Sequence, residues 1–132
     1  MNQRDFCKRF LAAMRAGDDA AMERMIDPEF ELVEAQSLPY GGMYRGYAGW
    51  QELVRAVGTA FSGFRLELIG IVGEAPGALV VEFAISGRGR ASGTPFATRV
   101  LEHWRFRGGR LVRIDPFYFD THAVVTALAA EA

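Results

Sequence analysis

The chain has 132 residues, a common length for one domain, and half of them are hydrophobic. This composition supplies enough apolar side chains for a core and excludes a disordered chain. The formal net charge is −1. Because phosphate binding needs concentrated positive charge, the charge balance argues against nucleic acid or an anionic membrane as the main partner.

Cysteine content and hydropathy exclude further classes. Cys7 is the single cysteine, so an intramolecular disulfide and a multi-cysteine zinc site are excluded. No apolar run approaches the roughly 20 residues of a membrane span, and charges interrupt the N-terminal segment where a signal peptide is apolar. We therefore expect a cytoplasmic protein. The fourteen arginines against one lysine are typical of a GC-rich bacterial genome.

The first third of the chain predicts two helices and a strand. Apolar residues at helical spacing predict a helix over 3–16, which Gly17 ends. A second helix over 19–26 is predicted, with Asp18 or Asp19 as its N-cap, and Pro28 is expected to end it. A strand should follow, in which three residues share one face: Phe30, Leu32 and Glu34.

The rest of the chain predicts a loop, a helix and a run of strands. Residues 37–46 contain one proline and three glycines and predict a loop, and a third helix is predicted over 47–60. Its apolar side should comprise Trp50, Leu53, Val54, Val57 and Phe61. Strands are predicted over 64–72, 78–86, 96–106 and 110–119, followed by a helix over 121–129 with Asp120 or Thr121 as its N-cap. Pro116 should place a kink or a sheet edge in the last strand. This order predicts one α+β domain over 1–132.

Strand alternation places one carboxylate among apolar groups. On the segment 96–106, Glu102 shares a face with Val100 and Trp104, the face better suited to an interior. Leu101 and His103 belong to the opposite face, which should also include Val80 and Ala84 of the preceding strand. An enclosed carboxyl group is expected to have a raised pKa unless a cation pairs with it.

Three stretches together resemble one known superfamily. They are FLAAMRAGDDAAMERMIDPEFEL near the start, LPYGGMYRG before the third helix, and LEHWRFRGGRLVRI with PFYFDT near the end. In order and spacing the chain resembles the SnoaL-like branch of the nuclear transport factor 2-like superfamily. The resemblance implies a cone-shaped, curved antiparallel sheet wrapped around three N-terminal helices, a cystatin-like arrangement. It also implies a pocket for a small hydrophobic organic molecule and a homodimer formed through the outer face of the sheet.

The resemblance to ketosteroid isomerases within this superfamily also suggests roles. Glu34 matches the position of their catalytic base, and Glu102 matches a second, protonated acid. Glu102 and Tyr118 would then steady an enolate. The position of the oxyanion tyrosine falls on Phe10, which has no hydroxyl group. We further predict the residues that bind substrate: Phe10, Met14, Tyr40, Trp50, Phe83, Val100, Trp104 and Ile114.

Several alternatives stay open for these residues. Glu34 and Glu102 could instead pair with Arg45 or Arg65, or be hydrated at a sheet rim. Trp50, Phe83, Trp104 and Phe117 are residue types found in a core more often than against a ligand. Epoxide hydrolases of this fold use an Asp–Arg–Asp set, but Arg99 and Glu102 have opposite parity on their strand, which disfavours that chemistry. No metal-ligand spacing occurs, so neither a metal nor a cofactor is expected.

These observations leave three hypotheses for function. The first is a cofactor-independent acid–base enzyme, such as a cyclase, isomerase or dehydratase, acting on a hydrophobic carbonyl compound. The second is a binding module that holds an apolar metabolite without turnover. The third is a structural or regulatory homodimer whose interior is core alone.

Overall fold

The computed structural model describes residues 1–129, and the last three residues of the predicted 1–132 domain lie outside the described residues. The described residues form four helices and six strands. In chain order they are α1 (Gln3–Ala16), α2 (Asp19–Met25), β1 (Ile26–Glu34), β2 (Gly42–Arg45), α3 (Gly46–Ala60), β3 (Phe61–Ala75), β4 (Ala78–Gly89), β5 (Pro95–Arg107), β6 (Arg110–Tyr118) and α4 (Thr121–Leu128).

The helix ends follow the residues that cap them. Asn2 accepts a hydrogen bond from the Asp5 amide at the start of α1, and Gly17 ends that helix in the left-handed region at φ 65°. Asp18, one of the two predicted residues, caps α2, which ends at Met25. Pro28 therefore does not end α2 and lies within β1, so that prediction is wrong. It falls in a stretch where the pairing of β1 with β6 is interrupted, so its missing N–H breaks no hydrogen bond of that ladder.

The six strands form one open sheet in the order β2-β1-β6-β5-β4-β3. All neighbours are antiparallel except β1 and β6, which are parallel, so the predicted wholly antiparallel sheet is corrected at that pair. Register shifts interrupt the β3–β4 pair at three places and the β5–β6 pair at one. Such bulges bend and twist a sheet, and they account for its curvature.

One local prediction on the sheet needs correction. The segment 37–46, predicted to be a loop, contains the short strand β2, because residues 42–45 pair with the edge of β1. Strand β6 is an interior strand, and the edge predicted at Pro116 concerns that residue alone. The last pair between β1 and β6 joins Leu32 to Ile114, and Pro116 lies beyond it, where no ladder bond to β1 is needed.

Helices α1 and α3 cover the concave face of the sheet, and α4 contacts β4 and β5. The centre of this core is aromatic: the Phe10 ring lies edge-on to Trp50 at 5.3 Å and to Trp104 at 5.5 Å between centroids. Val54, predicted on the apolar side of α3, is 52% exposed. The predicted α+β fold with a curved sheet around helices is thus confirmed. Along the chain, α3 follows β2 and precedes β3.

Candidate active site

A cavity of about 440 Å³ lies between the concave face of the sheet and helices α1 and α3. This volume falls within the range of small-molecule pockets. Every residue predicted to bind substrate or to be catalytic lines it. The full lining consists of Phe10, Leu11, Met14, Arg15, Leu32, Glu34, Tyr40, Trp50, Leu53, Val54, Val57, Gly58, Phe64, Leu66, Phe83, Ile85, Val100, Glu102, Trp104, Ile114, Pro116 and Tyr118.

Glu34 is the last residue of β1, and the alternation of that strand turns it into the cavity with Leu32. Its side chain is only 5% exposed. One carboxyl oxygen, Oε2, accepts a hydrogen bond of 3.4 Å from the Tyr118 hydroxyl, and the other, Oε1, is buried without a partner. Burial, followed by the negative charge of Glu102, raises the pKa of Glu34 to about 8.

Glu102 lies on β5 and faces the same cavity. Its Oε1 accepts a hydrogen bond of 2.9 Å from the indole Nε1 of Trp104, two residues along on the same face. Burial raises the pKa of Glu102 to about 7, and the indole hydrogen bond opposes that rise. Because an indole N–H can only donate, this partner favours the ionised form of the carboxyl group.

A pair of tyrosine hydroxyls extends the polar end of the cavity. The Tyr40 and Tyr118 hydroxyl oxygens lie 2.9 Å apart, and Tyr118 also reaches Glu34. Burial raises the pKa of both phenols, so both keep their protons at neutral pH. Tyr44 donates to the backbone carbonyl of Tyr40 at 2.7 Å and holds the start of β2 against the 37–41 turn. The site thus contains two carboxyl groups and two hydroxyl groups at one end of an apolar cavity.

The structure excludes one of the open alternatives for the two carboxyl groups, an ion pair with Arg45 or Arg65. Arg45 pairs with Glu31 at 3.5 Å, and Arg65 pairs with Glu67 at 2.6 Å, so neither arginine pairs with Glu34 or Glu102. Arg99 pairs with Glu82 on the other face of the sheet, which agrees with the predicted opposite parity of Arg99 and Glu102. Arg99 therefore cannot be the arginine of an Asp–Arg–Asp set within the cavity.

Other predicted side chains lie as follows. Trp50, Phe83 and Trp104 both belong to the core and line the cavity, while Phe117 is 62% exposed on the outer face, so its assignment to the core is wrong. Leu101 is 40% exposed on that outer face. His103 is half-buried and pairs across the sheet with Val80 and Asp115.

Half of the residues that line the cavity were not predicted from the sequence. Leu66 and Phe64 alternate on β3, and Ile85 follows Phe83 by two residues, so the period of two could have identified all three. Arg15 follows Leu11 by four residues on α1, which was also readable from helical spacing. Val57 belongs to the apolar side predicted for α3, so it was also readable from helical spacing, whereas Gly58 has no side chain from which a pattern could indicate its place in the lining.

Within residues 1–129 the structure shows no cluster of three His, Cys, Asp or Glu side chains arranged to hold a metal ion. None of the helices described there has both the length and the apolar character needed to cross a membrane. Cys7 is fully buried, and burial raises the pKa of its thiol to about 11, so it is a core residue of low reactivity.

Comparison with known proteins identifies relatives at the level of fold. An NTF2-like protein from Burkholderia thailandensis has 29% identity and a TM-score of 0.84, covering 94% of this chain and 95% of its own. TerC, co-crystallised with polyporic acid, has 23% identity and a TM-score of 0.80, and the match covers 94% of this chain and 95% of TerC. A protein with a ketosteroid isomerase-like fold from Catenulispora acidiphila, in complex with trimethylamine, has 13% identity and a TM-score of 0.75. The match covers 96% of this chain and 94% of that protein.

No curated protein matches the sequence at a significant level. The family model described as SnoaL-like domain matches residues 7–114, from within α1 to the middle of β6. The chain therefore belongs to the SnoaL-like family and has its nuclear transport factor 2-like fold.

Proposed function

We propose that the protein binds a hydrophobic carbonyl compound and performs acid–base chemistry on it without a cofactor, as a cyclase, isomerase or dehydratase does. One observation carries the proposal: two carboxyl groups with raised pKa values line one apolar cavity and have different hydrogen-bond partners. Titratable groups whose environments separate their pKa values are the usual source of an acid and a base at one site.

The hydrogen bonds suggest how the pair divides these roles. The indole N–H of Trp104 can only donate to Glu102 and so favours its ionised form, and Glu102 would therefore act as the base. Glu34 has an oxygen without a partner and a hydroxyl neighbour that tolerates a protonated acid, so it would remain the acid. This reverses the roles that the resemblance to ketosteroid isomerases implies.

The chemistry follows from these roles. The Glu102 carboxylate would take a proton from the carbon beside a carbonyl group, the electrons of the C–H bond would form a C=C bond, and the π electrons of the carbonyl group would move to its oxygen. Glu34 and Tyr118 would then donate O–H hydrogen bonds to the developing enolate oxygen. The proton held by Glu102 can return to a different carbon, which gives isomerisation, and the enolate can attack a second carbonyl carbon, which gives cyclisation.

Cavity size and the related structures support a small organic ligand. The apolar side chains that line the cavity of about 440 Å³ lose the packing contacts that larger side chains in its place would provide. A domain with a purely structural role would gain stability from a filled core, so the cavity favours a binding role. TerC was co-crystallised with polyporic acid, and the Catenulispora acidiphila protein was in complex with trimethylamine. These complexes favour ligand binding over the third hypothesis, a structural or regulatory homodimer.

The proposal is tested by following deuterium exchange at the α-carbon of 1-tetralone in D₂O by proton NMR. The wild-type protein should accelerate exchange above the buffer rate. Glu102→Gln should lower the acceleration by roughly 10²–10⁴, the usual worth of general acid–base catalysis. Glu34→Gln should lower it less, because an amide N–H still donates to the enolate oxygen. Glu67→Gln, at an exposed carboxylate on β3, is the matched control and should not change it.

The opposite ranking would restore Glu34 as the base. Equal exchange in all four proteins would reject the enzyme and favour the alternative, a non-catalytic binding module for an apolar metabolite. One observation supports that alternative: Phe10 occupies the position of the family's oxyanion tyrosine, and its ring packs against Trp50 and Trp104 with no hydroxyl at that point.

We also propose that the protein is a homodimer formed through the outer face of the sheet. The exposed apolar groups on that face support it, and the corresponding experiment follows in the Discussion.

A further inference from the structure

The mouth of the cavity lies between the end of α1 and the second half of α3. The residues of its lining that are exposed are Arg15 on α1 and Val54 and Gly58 on α3, whereas Glu34 at the polar end is buried. A bound molecule would therefore enter past Arg15, with its far end at the carboxyl groups. Arg15 is the single cationic side chain among the described residues that line the cavity.

We infer that the ligand carries a carboxylate or similar anionic group, which Arg15 binds at the cavity mouth while the carbonyl end lies at Glu34 and Glu102. This inference rests on the proposed function, because it assigns a further property to the ligand of the same cavity. It defines the ligand as an amphiphile with a neutral polar head, an apolar body and an anionic tail.

The pairing of the arginines supports this position. Seven of them pair with a carboxylate within 4.0 Å: Arg4, Arg45, Arg65, Arg99, Arg105, Arg107 and Arg113. Arg15 has no such partner among residues 1–129, although it is the one that reaches the cavity. A guanidinium group binds a carboxylate through two parallel N–H donors, and Arg15 has these donors available.

The layout of charge along the cavity gives the same orientation. An anionic group at the inner end would meet two carboxyl groups in an apolar surrounding, which is unfavourable because like charges repel and burial removes solvent. A groove continues from the mouth past Met14 and Trp50 and adds Arg55 and Asp19. Among these residues two arginines, Arg15 and Arg55, stand against the single carboxylate of Asp19, so the entrance has a net positive charge.

Arg15 has a second role that an experiment must separate. It lies in the last turn of α1, where a cation favours the negative end of the helix dipole. Arg24 lies in the last turn of α2, is also exposed, and has no carboxylate partner among residues 1–129. Arg24 lines none of the cavities described above, so Arg24→Gln is a matched control that removes a helix-end cation without touching the mouth.

The probes are 10-oxoundecanoate, a flexible ketone with a terminal carboxylate, and its neutral primary amide, with binding measured by titration calorimetry at low salt. The wild-type protein should bind the carboxylate about fivefold more tightly than the amide, the upper end for a partly exposed ion pair. Arg15→Gln should remove that preference, so that the variant binds the carboxylate and the amide equally. Arg24→Gln should keep it, and raising the salt concentration should reduce it because screening weakens exposed pairs.

The inference fails if the wild-type protein binds the amide as tightly as the carboxylate, if it binds neither, or if Arg24→Gln loses the preference as Arg15→Gln does. Its failure is distinguishable from that of the proposed enzyme. A carboxylate preference without α-carbon exchange supports Arg15 and rejects catalysis. Exchange of 1-tetralone without such a preference keeps catalysis and rejects the role of Arg15.

Discussion

Glu34 and Glu31 lie three residues apart on β1 and have opposite electrostatic surroundings. Glu31 is on the outer face, where Arg45 and Arg113 pair with it. Glu34 is on the inner face, where no cation among residues 1–129 pairs with it and one of its oxygens has no hydrogen-bond partner within that part of the chain. An unpaired buried carboxyl group disfavours its charged form, so the protein retains a proton on Glu34 that an exposed glutamate would lose near pH 4.5.

This difference predicts how stability depends on pH. The pKa values of Glu34 and Glu102 in the folded protein, about 8 and about 7, exceed the ordinary value of 4.5. The folded state therefore binds these protons more tightly than the unfolded state does. Their stabilising contribution is fully present below about pH 4.5 and is lost as pH rises through 7 and 8, at a slope of up to about 1.4 kcal/mol per pH unit for each group.

Glu34→Gln should remove the pH-dependent contribution of Glu34 to stability and leave that of Glu102. Denaturant unfolding from pH 4 to pH 9 should give a shallower decline for the variant, which should be more stable than the wild type at pH 8 and similar at pH 4. Glu102→Gln should also cost little stability at neutral pH and should lower the pKa of Glu34, because the charge of Glu102 helps to raise it. Parallel pH profiles in the wild type and Glu34→Gln would show that Glu34 is ionised in the folded protein.

Strand alternation predicts the inner face well and the outer face poorly. It placed Glu34, Glu102 and Trp104 correctly at the cavity because inward positions repeat every second residue. The same rule turns Phe117 outward once Tyr118 faces inward, yet its aromatic character favoured the core. Hydrophobicity alone does not distinguish a core residue from one on an exposed apolar surface.

Among the elements, α4 shows most directly how one side chain fixes a helix. Of the two candidates for its N-cap, Asp120 is the cap, and its Oδ1 accepts a hydrogen bond of 3.0 Å from the Ala123 amide. The helix then packs against β4 closely enough that a Cβ at Gly89 would collide with the carbonyl group of Ala127. The position of α4 therefore depends on its start and on a glycine in the facing strand.

Asp120→Ala should destabilise the protein by about 1 kcal/mol, the usual cost of removing an N-cap acceptor. Asp120→Asn should cost far less, since asparagine is an equally good cap. Both variants should retain wild-type exchange of 1-tetralone, because Asp120 does not line the cavity. Chemical denaturation gives the stability, and a loss of exchange in Asp120→Asn at full stability would instead indicate that this carboxylate is catalytic.

The features of the sheet that were not predicted depend on which strands pair with each other. Strand β2 lies in a segment with three glycines and becomes a strand only because the edge of β1 is available to pair with it. The parallel pairing of β1 with β6 joins residues about 80 positions apart, for example Leu32 and Ile114. Periodicity reports which face of an element is buried, but it contains no information about the neighbouring strand.

For the whole molecule, the helices described within residues 1–129 cover the inner face of the sheet and leave an apolar patch on the outer face uncovered. The outer face exposes a shallow depression across β3 to β6, whose lining includes Val72, Leu101, Phe117 and Phe119. Phe119 is 74% exposed, and the guanidinium group of Arg99 lies over its ring at 4.6 Å. An exposed apolar patch that spans several strands is typical of a protein interface. The patch also holds an acid and a base, Glu82 and Arg99, which suits the self-complementary contact of a twofold dimer.

We therefore expect a dimer of twice 14.6 kDa at micromolar concentration, measured by sedimentation equilibrium. Phe117→Glu should weaken it by about a hundredfold or more, since two copies of an aromatic side chain, at about 1.5–3 kcal/mol each, would leave the interface. Val54→Glu changes a similarly exposed apolar residue on α3, away from this face, and should leave the dimer intact. A monomeric wild-type protein, or equal weakening by both substitutions, would contradict a dimer through the outer face.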